Sequence, residues 1–435
     1  MEIEIQNLGA VKSTKIDLSK KLTVFCGPNN SGKTYVAFMI HALAKSGNKF
    51  FRSKDGESLI SDLLKNEEVN FEIDYDKIWN YRANEIADIK SSLDSIYGIS
   101  EEVSNHLFKD FNISILESKE AFIKNISSSS FENEVELRSI KIRIIKKEDV
   151  SVVNLKLQGK LASKGDIEVL GLFLISKIYS LIAFYPFTSS HILPVERNSI
   201  YTFSKELSIQ KQEFLEQAQE LGSKKSKDPF HWYLRRSTRY PMPIRDGLEI
   251  SEDLSNLSKT RSESFELAEE IENELLQGRV VLTKEGDVQF SSNKAKSKKI
   301  PIHLTASIVK TLSSLVFYLK YIATKRELII IDEPELNLHP NNQITLTRVF
   351  AKLVNRGFRV LISTHSDYVI RELNNLIMSS SSKHETRELA EKLGYSNEMS
   401  LQAKEVSAYL FDYKNISSRN VTVSKIAVDE FGFEV

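Results

Sequence analysis

The feature that most constrains the fold of this 435-residue chain is one short loop, Gly27-Pro-Asn-Asn-Ser-Gly32-Lys33-Thr34. It follows an alternating and then apolar stretch, residues 2–26, that predicts β-strands. An apolar pattern with helical spacing begins at Lys33 and runs to about Ala44. A strand, a glycine-bounded loop and a helix in this order predict the first unit of a mainly parallel sheet with flanking helices.

This loop also fits the pattern G-x-x-x-x-G-K-[ST] in full, between a predicted strand and a predicted helix. Backbone N–H groups at such a helix N-terminus point towards phosphates, and the helix dipole favours negative charge there. We expect Lys33 to reach the β- and γ-phosphates of ATP and Thr34 to hold Mg²⁺. The alternative, a chance match in a glycine turn, is disfavoured by the motifs that follow. The predicted nucleotide-binding residues of the loop are Gly27, Pro28, Asn29, Asn30, Ser31, Gly32, Lys33 and Thr34.

Two later strands are predicted to end in polar residues. The run LIIIDEP at 328–334 is a buried strand followed by two acids, and LISTHSD at 361–367 is a second buried strand. Ligands of open α/β sheets bind at the carboxyl edge of the strands, so Asp332 is expected in the Mg²⁺ shell. Glu333 is expected to act as general base towards the attacking water. His365 is expected to contact the γ-phosphate or the attacking water. His339 precedes a proline at a helix start, so we expect it to be a structural turn residue.

The amino-acid composition indicates which cellular compartment and which partners are compatible with this chain. Lys plus Arg and Asp plus Glu number 59 each, so any nucleic-acid contact requires a local basic patch. Cys26 is the single cysteine, which excludes a disulfide framework and fits a reducing compartment. The N-terminal sequence has no signal-peptide pattern, and no apolar run has the length of a membrane span. We therefore expect a cytoplasmic protein without a membrane partner.

The remaining pattern predicts helices and strands around these motifs. The pattern predicts mostly helices over residues 55–126 and a small antiparallel sheet over 131–158. It predicts helices interrupted by a basic segment (224–239) over residues 199–276, and a hairpin over 279–292. No sustained heptads occur, so no long coiled-coil arm is expected. Helices are further predicted at 167–184, 304–322, 341–355 and 366–379, and strands at 191–195, 328–331 and 358–362.

The strings GPNNSGKT, LIIIDEPELNLHP and ISTHS together resemble the ABC-type ATPase heads of the RecF, SMC and OLD group. The resemblance covers about residues 1–50 and 300–380. It implies a homo-oligomer in which two heads sandwich ATP and each supplies a signature segment to the other head's γ-phosphate. The matching segment here is LTASI at 304–308, which lacks both usual glycines, and Thr305 and Ser307 are expected to cap the following helix and contact phosphate. The PVER sequence at 194–197 is expected to serve as the sensing loop.

The resemblance implies an α/β fold, an ABC-type ATPase head with a mainly parallel P-loop sheet and an antiparallel β subdomain, interrupted by helical and mixed α/β insertions. The expected divisions are 1–55 (head with Walker A), 56–165 (helical and small β insertion), 166–198 (head helix and strand), 199–300 (helical and basic insertion) and 301–435 (head with signature, Walker B, D-loop and H-switch).

Partners follow from what lies between and after the head motifs. Residues 380–435 contain no Asp-x-Asp cluster of a toprim nuclease, so an effector is expected on a separate chain. The chain is similar to the ATPase subunits of PARIS anti-phage systems (AriA-like), with the Septu system as a second candidate. This implies a scaffold that senses a phage protein and controls a toprim-type nuclease.

Other interpretations stay open. A RecF-like ATPase that acts directly on DNA is the main alternative, whereas the LHP run and the size of the insertions disfavour a transporter subunit. Basic and aromatic residues at 224–239 fit a nucleic-acid surface, an acidic protein partner or a solvated loop. The lysines at 294–299 are expected to form a solvated loop.

Overall fold

The structure is a computed structural model, and it describes residues 1–45, 55–137, 140–159, 167–203, 240–284, 286–294, 298–381, 383–413 and 420–434. The strands are β1 (Glu2–Leu8), β2 (Val11–Asp17), β3 (Leu22–Cys26), β4 (Glu68–Glu72), β5 (Asn112–Ile115), β6 (Phe131–Leu137), β7 (Ile140–Lys146), β8 (Val152–Gly159), β9 (Ser190–Leu193), β10 (Gly278–Leu282), β11 (Val288–Ser292), β12 (Lys299–Pro301), β13 (Leu328–Asp332), β14 (Arg359–Thr364), β15 (Val406–Tyr413), β16 (Val421–Ile426), β17 (Val428–Asp429) and β18 (Gly432–Phe433).

The helices are α1 (Lys33–Lys45), α2 (Asp55–Asn66), α3 (Tyr75–Ser91), α4 (Leu93–Tyr97), α5 (Glu101–Leu107), α6 (Lys119–Ser127), α7 (Ile167–Ala183), α8 (Met242–Leu257), α9 (Phe265–Ile271), α10 (Ser307–Phe317), α11 (Pro340–Asn355), α12 (Asp367–Met378) and α13 (His384–Lys392). Short π-helices, Glu272–Leu276 and Tyr318–Ile322, continue α9 and α10, and 3₁₀ turns occur at Ile302–Leu304, Asn397–Met399 and Ala403–Glu405.

A nine-stranded sheet in the order β5-β1-β2-β16-β15-β3-β14-β13-β9 organises the fold. Its five strands from β15 to β9 are parallel, whereas β5, β1 and β2 pair antiparallel, as do β15 and β16. The predicted α/β class, with a mainly parallel P-loop sheet and an antiparallel β part, is thus confirmed. Within the described ranges the longest helices, α3 and α7, have 17 residues, so no long coiled-coil arm is present there.

Strand β13 shows why the parallel strands are continuous apolar runs. All five of its residues are buried. Leu328 and Ile330 pack into one hydrophobic cluster with α1 and α7, whereas Ile329 and Ile331 pack into a second cluster with α10, α11 and α12. Alternate side chains of a strand point to opposite faces, so this division means that helices cover both faces of the sheet.

Two short strands depart from the helical prediction for residues 55–126. β4 joins the predicted antiparallel sheet, in the order β4-β8-β7-β6, and β5 pairs with β1 at the edge of the main sheet. Strands of four or five residues carry little periodic signal of their own, and here long-range pairing determines their conformation.

Two other differences concern the C-terminal half. The predicted helix at 304–322 is divided into a 3₁₀ turn, α10 and a π-helix, while the hairpin at 279–292 forms as β10 and β11 and is extended by β12. The basic and aromatic segment at 224–239 lies outside the described residues. In the part of the chain that the structure describes, no helix combines the length and apolar character of a membrane span.

Candidate active site

Parallel pairing brings the predicted motifs to one edge of the sheet. Cys26 at the end of β3 pairs with Thr364 at the end of β14, and Asp332 at the end of β13 pairs with Ser363. The phosphate loop (residues 27–34), the acidic residues at the end of β13 and His365 therefore lie together at the carboxyl ends of the neighbouring strands β3, β13 and β14. This is the edge where open α/β sheets bind ligands.

The phosphate loop is supported on one side by β15. Gly27 has φ 134°, and a Cβ at this position would lie 2.1 Å from the carbonyl oxygen of Phe411. The Tyr413 hydroxyl donates a hydrogen bond of 2.9 Å to the carbonyl oxygen of Asn30. Glycine is required at position 27 because no side chain fits either this φ or this close approach.

Lys33 lies inside the loop with 5% of its surface exposed. Its Nζ donates hydrogen bonds to the carbonyl oxygens of Gly27 (2.9 Å) and Pro28 (2.8 Å). Burial lowers the pKa of the Lys33 ammonium, and the carboxylates of Glu333 and Asp332 oppose that shift. An ammonium held by neutral carbonyls inside an anion-binding loop is able to exchange them for phosphate oxygens.

Asp332 connects the loop to β13 and β14. Its Oδ2 accepts a 2.8 Å hydrogen bond from the Thr34 hydroxyl, and its Oδ1 accepts one from the Ser363 hydroxyl. The Asp332 side chain is almost fully buried. A carboxylate and a hydroxyl side by side at a phosphate loop are the hard oxygen ligands that Mg²⁺ prefers, so these residues fit the expected ion.

Glu333 is held in a strained backbone conformation. Its φ is 47°, which a residue with a side chain adopts at a cost, and its N–H donates to the Ser363 carbonyl at 3.0 Å. Burial and the neighbouring carboxylates of Asp332 and Glu335 raise the pKa of Glu333, although His365 and Lys33 partly oppose this. A raised carboxylate pKa suits a general base near neutral pH.

Glu335 is a site residue to which sequence reasoning gave no role. Its Oε1 accepts hydrogen bonds from the Thr364 hydroxyl and the His365 N–H, both at 2.8 Å, and lies 3.2 Å from His365 Nδ1. Its Oε2 is buried and has no hydrogen-bond partner among the described residues. His365 Nδ1 also lies 4.0 Å from Glu333 Oε1. The signal in the sequence was a second carboxylate two positions after Glu333.

The residues around His339 have a structural role, as expected. His339 caps α11 by accepting a hydrogen bond from the Asn341 N–H. Gln343 then joins this helix to the strand end of β14, because its amide accepts from the Ser366 hydroxyl and donates to the Leu338 carbonyl.

The expected helix cap at the signature-like segment is wrong. Ala306, not Thr305 or Ser307, occupies the N-cap position of α10, and no side chain caps the helix. Thr305 turns its hydroxyl back to the Ile302 carbonyl at 2.6 Å, because the 3₁₀ turn before α10 offers that acceptor. The proposed phosphate contacts of Thr305 and Ser307 stay predictions.

Arg197, at the end of the expected sensing loop, touches the site directly. Its guanidinium donates to the carbonyl oxygens of Asp332 (2.6 Å), Glu333 (2.7 Å) and Pro194 (2.9 Å). Only 2% of its surface is exposed. Sequence reasoning did not anticipate this contact, because arginine is usually a surface residue, and the sensing role of residues 194–197 stays a prediction.

A phosphate loop, a hydrogen-bonded Thr–Asp pair and an acidic strand end on one parallel sheet define the chain as a nucleotide hydrolase of the P-loop class. It belongs to the AAA ATPase domain family, whose sequence profile matches residues 1–370, and it is an ATP-hydrolysing enzyme. No curated protein matches the chain.

Solved structures with weak similarity are heads of SMC proteins. An SMC head bound to the C-terminal winged-helix domain of ScpA has 13% identity and a TM-score of 0.36, covering 99% of this chain and 98% of that one. The Smc head of Pyrococcus furiosus with an extended coiled coil, also bound to ScpA, has 14% identity and a TM-score of 0.34, covering 98% and 96%. The SMC head of Thermotoga maritima has 11% identity and a TM-score of 0.29, covering 98% of each chain.

Proposed function

We propose that this chain hydrolyses Mg-ATP as an ABC-type head of the SMC and RecF class, and that it is the cytoplasmic ATPase subunit of a bacterial anti-phage system similar to PARIS. The observation that carries the hydrolytic part is the meeting of Thr34, Asp332, Glu333 and His365 at one sheet edge. The defence role rests on the resemblance of the head motifs, and it implies a separately encoded toprim-type nuclease and a phage-protein trigger.

Each residue has a defined part in the proposed reaction. Backbone N–H groups of the phosphate loop and the Lys33 ammonium bind the β- and γ-phosphates. Thr34 and Asp332 would hold Mg²⁺, which when bound would neutralise phosphate charge. Glu333 accepts the proton of the attacking water, and His365 orients that water or the γ-phosphate.

The proposed assembly is a homo-oligomer built from ATP-sandwich dimers. Thr305 and Ser307 of one head would face the γ-phosphate bound by the other. The exposure of Leu304, at 69%, supports an interface on this segment, since an apolar side chain gains by burial. We propose that the head of each subunit consists of residues 1–55, 166–198 and 301–435, and that residues 56–165 and 199–300 are insertions into it.

Two substitutions test the hydrolytic site. Lys33→Ala should abolish ATP binding because it removes the charge that faces the phosphates. Glu333→Gln should keep ATP bound and reduce turnover by about 100-fold or more, because an amide cannot accept the proton. Phosphate release and binding of a fluorescent ATP analogue are measured side by side.

Glu327→Gln is the matched control for Glu333→Gln. Glu327 is a buried carboxyl at the opposite end of β13, hydrogen-bonded to the hydroxyls of Tyr318 (2.6 Å) and Ser189 (2.9 Å). Its variant should keep normal turnover. Turnover that survives in Glu333→Gln, or that falls equally in both variants, contradicts the proposed base.

A co-purification experiment tests the cellular role. Tagged Glu333→Gln protein is expressed with its genomic neighbours, and phage protection is compared between the wild-type and Lys33→Ala systems. A stoichiometric neighbouring nuclease, with protection lost in Lys33→Ala, supports the defence role. ATPase recovered alone, with ATP-dependent and salt-sensitive binding to DNA, would support the RecF-like alternative instead.

A further inference from the structure

Arg197 is a buried cation whose guanidinium donates, within the part of the chain that the structure describes, only to backbone carbonyls. Among the described residues it forms no ion pair, and its three hydrogen bonds end on Pro194, Asp332 and Glu333. Burial lowers the pKa of Arg197 to about 10, so it is charged at neutral pH. Removing a guanidinium from water costs free energy, and these short hydrogen bonds, with the nearby carboxylates, offset that cost.

Two of those carbonyls belong to Asp332, the proposed Mg²⁺ ligand, and to Glu333, the proposed general base. The Glu333 N–H is bound by Ser363, and the Glu333 carbonyl is bound by Arg197 at 2.7 Å. Both ends of this residue are therefore fixed while its φ is 47°. Such a conformation is unfavourable for a residue with a side chain and persists only where neighbours impose it.

We propose that Arg197 is a positioning residue for ATP hydrolysis. It holds the turn after β13 in the conformation that aims the Glu333 carboxylate at the reacting water. This inference rests on the proposed role of Glu333 as general base. Arg197 itself touches no part of the nucleotide in this proposal and acts only through the backbone of Asp332 and Glu333.

The position of Arg197 also depends on the helix that follows the signature-like segment. The Ser314 hydroxyl of α10 donates to the Arg197 carbonyl at 3.3 Å, and Tyr201 packs edge-on against Phe317 at 5.2 Å. We therefore expect a shift of α10 relative to β13 to change the distance between the Arg197 guanidinium and the Glu333 carbonyl. In this way the sensing loop predicted from the sequence gains a specific physical link to the site of hydrolysis.

Kinetics of Arg197→Ala and Arg197→Lys test the proposal. We expect kcat to fall by about 10- to 100-fold in Arg197→Ala, because a displacement near 1 Å of a reacting group costs on that order. KM and the affinity for a fluorescent ATP analogue should change less than about threefold. Arg197→Lys should be intermediate, because an ammonium lacks the planar fork that reaches two carbonyls at once.

Arg82→Ala is the matched control. Arg82 is equally buried, but it pairs with Glu117 at 2.8 Å and packs against Trp79 and Phe122 in another part of the chain. Its loss should lower the melting temperature while kcat of the folded protein stays normal. If Arg82→Ala reduces kcat as much as Arg197→Ala, the effect is general destabilisation and the proposal is overturned.

A double variant shows whether Arg197 acts through Glu333. In the Glu333→Gln background, Arg197→Ala should cause no further loss of residual turnover, because two residues of one unit are not additive. An additive loss would overturn the proposal. Full turnover in Glu333→Gln alone would instead refute the base assignment, whereas loss in Glu333→Gln with normal kcat in Arg197→Ala refutes only the positioning role.

Discussion

Replacing Gly27 by alanine tests how the phosphate loop is built against β15. The backbone at this position has φ 134°, where a residue with a side chain pays roughly 1–3 kcal/mol. The added Cβ would lie 2.1 Å from the Phe411 carbonyl oxygen and 3.0 Å from its carbon. Both atoms belong to the backbone of a central strand, so the loop or the strand must move, at a cost of about 1–3 kcal/mol more. We expect the free energy of unfolding to fall by about 2–6 kcal/mol in total.

Gly357→Ala separates the two contributions. Gly357 follows α11 with φ 95°, and a Cβ there would meet no atom of the described residues within 4 Å, so this variant carries the backbone strain without the clash. Urea unfolding followed by circular dichroism should show the larger loss for Gly27→Ala. Binding of a fluorescent ATP analogue should weaken only in Gly27→Ala, because only there is the phosphate loop displaced. Equal losses of stability, with ATP binding intact in both, would refute the close approach of β15 to the loop.

The remaining predictions concern pH. His365→Ala should shift the acid limb of the kcat/KM profile to higher pH, since the His365 charge lowers the pKa of Glu333, and Glu335→Gln should shift it to lower pH, since that carboxylate raises it. Shifts in the same direction would contradict this electrostatic assignment. Burial lowers the pKa of His41 despite its hydrogen bond to Asp246, so the unfolded chain binds a proton that the folded chain does not. Stability should therefore be complete above about pH 6.5 and decrease as the pH falls below it, by up to about 1.4 kcal/mol per pH unit. Urea unfolding at pH 8, 7, 6 and 5 should show a smaller decrease in the free energy of unfolding for His41→Gln than for the wild type. Parallel plots of this free energy against pH would contradict the assignment to His41.

The sequence predicted those parts of the fold that local patterns encode. The phosphate loop lies between an apolar strand and an apolar helix, and β13 and β14 are apolar runs that end in polar residues. For each of these elements, a short stretch of sequence indicates both the secondary structure and the burial of the element on both faces of the sheet. The parallel direction of these strands then follows from the intervening helices.

Strand β15 escaped prediction because its place depends on pairing with a distant strand. Val406 pairs with Leu22 and Leu410 pairs with Cys26, so a strand near the C-terminal end of the chain lies beside the phosphate-loop strand. Nothing in one short apolar stretch specifies its neighbour across almost 400 residues of sequence separation. Arg197 was missed for a related reason, since its burial results from packing and not from the pattern of residues around it.

Residues 204–239 lie between two described segments, one of which contacts the candidate site and the other the phosphate-loop helix α1. On one side, Arg197 holds the Asp332 and Glu333 carbonyls; on the other, Asp246 of α8 accepts a 2.8 Å hydrogen bond from His41 of the phosphate-loop helix. The two flanking segments also pack together, since a Cβ at Gly247 would lie 2.5 Å from Ile200 Cδ1. The two flanking segments are therefore in contact with each other, and they connect to Asp332 and Glu333 through Arg197 and to the phosphate-loop helix through His41. By thermodynamic reciprocity, any ligand that moves these segments would alter ATP affinity by the same factor as ATP alters the affinity for that ligand.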